Sequence, residues 1–409
     1  MIFYKRKRVI NVENFILSEK VMNDVFVFIK DLLFLEKTGL IYDHIIKDRE
    51  EEFPTAAEIA SAFPNPCGYA TGMEDGMING GTMLDACLIK YKNENDNSAA
   101  EFARKLFNGM LNCAFKAKSE GFLPRGVSPE DGCSHYFDSS RDQYTMFAFA
   151  MHRYLNSDLC SPEDRERIKN AAVSIARRAE RNVTEKTKYD MLTADGKTTL
   201  VTKLWGDDLS NHEYFRLPML YLLVFESSGD EYWFNKYIAL RDKAFEKSLP
   251  MQKEYWALYS LQQMQCSILL CHDVEIDVKW KEKYILLMNK VADYTEDITD
   301  YIYEKIEKYN NYNAPQPSFR NLKLNVSECF LDLGYEKAFK PHREDENEFF
   351  ILQDGAQAAI IAGLVPKRMP KKKTQELLFK AFNKIDLTKH ERNLPLYFFD
   401  GYYRCKKQE

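Results

Sequence analysis

The feature that most constrains this chain is an alternation between two kinds of helical segment. One kind is apolar nearly all round: "YTMFAFAMHRYL" from Tyr144, "FRLPMLYLLVF" from Phe215, "YWALYSLQQMQCSILL" from Tyr255 and "GAQAAIIAGL" from Gly355. A helix without a polar face has to be surrounded by protein, so these segments predict an inner layer. The other kind carries a single apolar stripe. In "AAEFARKLFNGMLNCAFKAK" from Ala99, Phe102, Leu106, Met110 and Ala114 share one face, and Glu101, Arg104, Lys105, Asn108 and Asn112 share the other. "PEDRERIKNAAVSIARRAER" from Pro162 repeats the pattern with a proline in its first turn. Helices of this kind pack on one side only and predict an outer layer.

The links alternate as well. Inner segments run into outer ones through short stretches, such as "KNENDNS" after Tyr91, "NSDLCS" after Leu155 and "SSGD" after Glu226. Outer segments return through long loops: Gly121 to Asp138, Asn182 to Ser210 and Glu307 to about Leu324, with Ile41 to Glu74 leading into the first inner helix. Antiparallel hairpins place every second connection on the same side, so the long loops share the face where inner helices begin. Long irregular loops in a compact protein are uncommon and often functional. About twelve helices in this order predict an all-α fold, an (α/α)6 toroid, as a single domain over residues 1–409. The stretch "YTEDITDYIYEKIEKYNNYN" reads as one helix or two. An open α-solenoid is the rival architecture, but it calls for a shorter, more regular period and fewer long loops on one side.

Composition narrows the function classes. With 45% apolar and 29% charged residues the chain has the makings of a large core, and its net charge of -5 argues against a nucleic-acid partner. The basic cluster Lys367 to Lys373 sits beside prolines and reads as a solvated turn. No stretch reaches about 18 uninterrupted apolar residues, so no membrane partner is expected. The basic start lacks a following apolar run; the expected location is cytoplasmic, or secreted or periplasmic if a leader has been trimmed. Nine scattered cysteines without a CxxC pair predict buried free thiols.

Acids recur where the inner helices begin. "MEDGM" holds Glu74 and Asp75, "FDSSRDQ" holds Asp138 and Asp142, "WGDDLSNHE" holds Asp207 and Asp208, and "LQDGA" holds Asp354. For any single one, helix capping is the plainer reading, and Ser139 with Asp142 even resembles a capping box. Capping does not account for their company. Asp138 and Asp142 bracket Arg141 and follow His135 and Tyr136, while Asp207 follows Trp205 and precedes His212. One protonated and one ionised acid are the minimum for glycosidic hydrolysis, and a nearby Arg or a desolvated setting separates two such pKa values. The catalytic candidates are therefore Asp75, Asp138, Asp142 and His135. The substrate-binding candidates are Arg125, Tyr136, Arg141, Trp205, Asp207 and His212: Trp205 and Tyr136 to line the cavity and stack on sugar rings, Arg125 or Arg141 to take a uronate carboxylate, and Arg141 to keep an acid ionised. His152, inside an inner helix, reads as a core residue. Cys133-x-His135 has no second ligand pair, so no metal is expected; without GxGxxG, P-loop or GxSxG, no nucleotide cofactor or serine-hydrolase elbow is either.

The segments "MEDGMINGGTML", "GFLPRGVSPEDGCSHYFDSSRDQYTMFAFAMHRY" and "WGDDLSNHEYFRLPMLYLLVFESSGDEYW" resemble the six-hairpin glycosidase superfamily, which includes the unsaturated glucuronyl hydrolases. The resemblance implies a site at the N-terminal face of the inner helices, an Asp as general acid and base, and a glycoside hydrolase acting on an oligosaccharide or glycan. No full motif of one member family stands here unaltered. The same toroid hosts polysaccharide lyases, which use Tyr and His, and sugar epimerases, which use His pairs; His135 with Tyr136 and His212 with Tyr214 would serve either. A helical scaffold that binds a glycan or a protein without turning it over is the remaining alternative.

Overall fold

Six helices with little or no polar surface pack side by side and close on themselves. In chain order they are α3 (Gly76–Glu94), α5 (Arg141–Leu155), α7 (Arg216–Ser228), α9 (Leu258–Val274), α12 (Glu346–Gly363) and α14 (Pro395–Cys405). Each touches the next, and α14 returns to α3, so the ring has no open edge. The computed structural model describes residues 18–199, 201–250, 257–309, 312, 318–321, 324–326, 339–341 and 346–406.

Around this ring lie the one-faced helices: α1 (Glu19–Phe28), α4 (Asn97–Ala114), α6 (Pro162–Asn182), α8 (Glu231–Ser248), α10 (Val278–Asp297) with α11 (Thr299–Ile306), and α13 (Lys372–Phe382). On α4 the buried residues include Phe102, Leu106 and Met110, the stripe that its periodicity predicts. Helix α1 packs on α14 and completes the sixth inner–outer pair from opposite ends of the sequence. The fold is an all-α (α/α)6 toroid. A closed ring also disposes of the solenoid, whose first and last repeats do not meet.

Several details refine the expectations. The stretch "YTEDITDYIYEKIEKYNNYN" spans two helices, the end of α10 and all of α11, with Ile298 between them. Helix α9 begins at Leu258; Tyr255 and Trp256 lie outside the described residues. A single-turn helix, α2 (Ala56–Ala60), and two small antiparallel ladders, 34–35 with 40–41 and 324–326 with 339–341, punctuate the long connections. Eight of the cysteines are free thiols, and Cys329 lies outside the described residues. Among the described residues no helix is long and apolar enough to cross a membrane.

The two ends of the toroid begin helices differently. At five of the six outer starts a side chain accepts from an unpaired backbone N–H: Ser18 from Val21, Asp96 from Ser98 and Ala99, Ser161 from Asp164, Asp230 from Tyr232 and Asp277 from Lys279. The starts of α3, α5, α7, α9 and α14 have no side-chain cap. That end is where the connections 115–140 and 183–215 arrive, and it is where a cavity opens.

Candidate active site

The cavity at the inner-helix starts holds about 370 Å³. Asp75 stands at the N-cap position of α3, yet its carboxylate makes no cap bond. Its Oδ1 accepts instead from Gln143 Nε2 of α5 at 3.1 Å, and the same amide nitrogen donates to the Glu74 carbonyl at 3.1 Å. The Gln143 oxygen in turn accepts from Met77 N at 3.1 Å, serving one of the orphan donors of α3. Gly76 lets the loop before α5 seat against this helix start: a Cβ there would stand 2.6 Å from the Arg125 carbonyl oxygen. Burial, then the charge of Glu74, push the Asp75 carboxyl up to about 7, against the pull of Arg125.

Beside Asp75 lies Asp43, a carboxylate not anticipated from the sequence. It accepts from Glu74 N at 2.9 Å, Asn79 Nδ2 at 2.7 Å and Asn393 Nδ2 at 3.2 Å. Burial, followed by the charges of Asp75 and Glu74, holds it well above the usual carboxylate range. This side of the mouth is therefore crowded with acids that resist ionising together.

Asp142, in the first turn of α5, titrates the other way. Burial alone would raise its pKa, but the guanidinium groups of Arg216 and Arg141, with a hydrogen bond from Arg216 Nη1 to Oδ1, outweigh it and hold the carboxyl below the ordinary Asp value. Arg216 is the first residue of α7, has a side chain only 1% exposed, and also donates to Gln263 Oε1 of α9 at 2.8 Å. One buried cation thus ties three inner helices together around Asp142. Arg141 lines the cavity with its Nε 2.7 Å from Glu213 Oε1. Arg125 lies on the wall between the two acids' loops, donating to Tyr69 Oη and to the Ser139 carbonyl, each at 3.0 Å.

Of the catalytic and substrate-binding candidates, the cavity brings together Asp75, Asp142, Arg125 and Arg141, and Glu74 beside Asp75 lines it too. The others are elsewhere. Asp138 is 0% exposed, behind the wall, where it accepts from the Cys67 thiol at 2.7 Å and from Ser139 N at 2.8 Å; burial pushes it up to about 6. Tyr136 was expected on the cavity but lies in the packed shell, its hydroxyl donating to the Phe63 carbonyl at 2.6 Å. Its ring covers Gly68, where a Cβ would come within 2.4 Å of it. His135 stacks on Phe122, and its Nδ1 donates to the Tyr136 carbonyl at 2.8 Å. Trp205 packs edge-on against Tyr214 with Lys243 over its ring. Asp207 is exposed and pairs with Lys243, and His212 sits beside Glu213, with its pKa pushed down to about 3 by burial and by Arg216 and Arg141. In each case a partner outside the cavity claims the side chain.

The capping box suspected at Ser139 and Asp142 does not form. The N-cap residue is Ser140, while the Ser139 hydroxyl donates to the Leu123 carbonyl at 2.6 Å. Asp354 serves neither its own helix start nor the cavity; it accepts from Leu258 N, at the start of α9, at 3.2 Å. Missed from the sequence were Asp43, Gln143, Arg216, Tyr259, Phe350 and Tyr397. A signal for four of them was present: Gln143, Arg216, Tyr259 and Tyr397 each stand within three residues of the start of an inner helix, the stretch that borders the mouth. Among the described residues no group of three or more His, Cys, Asp or Glu is arranged to hold a metal ion.

Fold and cavity define this chain as a helical toroid with an acidic, aromatic-rimmed mouth. Among solved structures it is similar to a sugar epimerase from a ruminal bacterium, with 10% identity, a TM-score of 0.47 and coverage of 94% of this chain and 98% of that one. It is also similar to the GH76A alpha-1,6-mannanase from Salegentibacter sp. HEL1_6, at 10% identity, a TM-score of 0.44 and the same coverage. No protein-family model matches the chain, and no curated protein matches it.

Proposed function

We propose that the chain is a carbohydrate-active enzyme that hydrolyses a glycosidic bond, with Asp75 as the general acid and Asp142 as its anionic partner. Cleaving such a bond requires a proton for the departing oxygen and a carboxylate on the other side of the sugar. The observation that carries the reading is the opposite titration of two carboxyls that line one cavity: Asp75 is raised to about 7, and Asp142 is held below the usual value. Both are reachable from the cavity, whereas Asp138 is sealed behind it.

Two rival chemistries have less support. A tyrosinate base, as a lyase uses, is opposed at Tyr397, whose hydroxyl is held well above its ordinary pKa by burial and by the charges of Asp75 and Asp43. A pair of histidines, as an epimerase uses, has no counterpart among the described lining residues.

The test is the release of reducing ends from a panel of oligosaccharides that includes unsaturated uronides. Asp75→Asn and Asp142→Asn should each cut turnover by about 10² to 10⁴ with the fold intact. In the unmodified protein, kcat/KM should fall as pH rises through about 7, where Asp75 loses its proton, and should fall on the acid side only below the ordinary Asp range. Full activity in both variants overturns the assignment.

A further inference from the structure

Across from Asp75 the cavity changes character. In the six-membered ring α9 lies across from α3, and α12 lies across from α5. Tyr259, the second residue of α9, and Phe350, the fifth of α12, both line the cavity, and each is 39% exposed. Their ring centroids are 6.3 Å apart with planes tilted by 38°. Phe349 packs edge-on against Phe350 at 5.6 Å, and the Arg392 guanidinium lies 3.8 Å from the Phe349 ring. Phe349 is itself only 5% exposed, so the pair at the rim rests on a packed base.

Elsewhere the wall mixes apolar side chains, Ala70, Ile78 and Val201, with buried polar ones. Asp43, Gln353, Asn393 and Tyr397 are each buried, and they form the deep part of the cavity with Arg125 and the two acids. A sugar ring matches both environments: its hydroxyls need hydrogen-bond partners, and its C–H face is apolar and packs on an aromatic plane. The exposed faces of Tyr259 and Phe350 give the cavity an apolar edge of the kind a sugar's C–H face packs on. Tyr259 is also near the proposed chemistry. Burial first, then the charge of Asp142, raise the pKa of its phenol.

We propose that Tyr259 and Phe350 form a second sugar subsite, an aromatic platform that stacks the unit on the far side of the cleaved bond while the terminal unit occupies the polar floor. The substrate is then an oligosaccharide trimmed from its end, and the unit on the platform is a neutral pyranose with an uninterrupted C–H face. This inference rests on the glycosidase reading for the word "cleaved", and its test separates the two.

Isothermal titration of the Asp75→Asn protein with mono-, di- and trisaccharides of the 1,4- and 1,6-linked gluco and manno series measures how much each added unit improves affinity. The second unit should improve binding. That advantage should shrink about 2- to 12-fold when Tyr259→Ala or Phe350→Ala is added, the range for one aromatic contact, and should survive in Tyr259→Phe and Phe350→Trp. Thermal melts of the Ala variants check that the fold is retained. An advantage unchanged in both Ala variants overturns the platform, and the cleavage reading stands if the unmodified protein still releases reducing ends. An aromatic-dependent advantage in a protein that cleaves nothing overturns the cleavage reading and leaves the platform as a binding site. Binding of no sugar in the series overturns the platform as stated.

Discussion

The two ends of the toroid differ in whether the acids at their helix starts cap them. At the end where outer helices begin, Asp96, Asp230 and Asp277 cap, and Asp85, Glu94, Glu226 and Asp273 sit in ion pairs with Lys90, His152, Arg153, Arg404 and Lys406. At the mouth, Asp75 and Asp43 have neighbours of their own sign; Asp75 makes no cap bond, Asp43 lies in a loop, and Asp142 is paired with Arg216. What differs is who serves the backbone. Outer starts are at the surface, and their own side chain is the nearest acceptor. Inner starts are buried, so other elements supply the acceptors: Gln143 Oε1 for Met77 N, the Val201 carbonyl for Arg141 N at 2.9 Å, and Asp354 for Leu258 N. Asp75 is thereby released from capping its own helix start.

The largest effect that tests this contrast is at Asp75. If it caps, Asp75→Asn should be nearly silent in turnover; if it is an acid, the variant should lose about 10² to 10⁴ in rate. Stability gives a second reading with a defined sign. The folded state keeps the Asp75 proton between the unfolded value near 3.8 and about 7, so the residue's contribution to stability declines as pH rises across that window. The asparagine variant escapes the decline. Its melting temperature should therefore gain on that of the unmodified protein from pH 4 to pH 8; a uniform loss at every pH would mean that Asp75 was holding the helix start after all.

At the opposite end, His152 should matter only to stability. Burial alone would lower its pKa, but Glu226, 2.8 Å from Nδ1, and Asp273, 3.2 Å from Nε2, outweigh that and raise it to about 9. A raised histidine stabilises fully below its unfolded value of 6.5, and the effect is lost as pH climbs through about 9. The shift from 6.5 to about 9 corresponds to about 3 kcal/mol. Denaturant unfolding at pH 6 and pH 10 should show that difference in the unmodified protein and much less of it in His152→Gln. An equal pH dependence in both would remove His152 from the latch between α5, α7 and α9.

The smallest effect is at a cap. Asp230→Ala should cost about 0.5 to 2 kcal/mol of stability while turnover is unchanged. A loss of turnover there would blur the division between the two ends.

The architecture is legible in the chain where its signal is local. All-apolar and one-faced segments were distinguishable because helix geometry repeats every 3.6 residues, and the ring needed only that pattern with alternating short and long links. Asp75, Asp142, Arg125 and Arg141 were legible as candidates because they stand in or beside the loops that feed inner helices. Tyr136, Trp205 and Asp207 were misplaced for a reason no period reveals: the Phe63 carbonyl, Tyr214 and Lys243 are their partners, and all but Tyr214 come from other elements.

By itself, then, the sequence determined the layers, the hairpin order and the end of the molecule at which polar residues gather. Only the tertiary structure decided which acids are free and which are bound. Arg216 reaches Asp142 across 74 positions and Gln143 reaches Asp75 across 68, separations at which spacing along the chain carries no geometric information. A carboxyl's proton affinity depends on burial and on charges within a few ångströms. Those neighbours exist only after α3, α5 and α7 have packed into one wall.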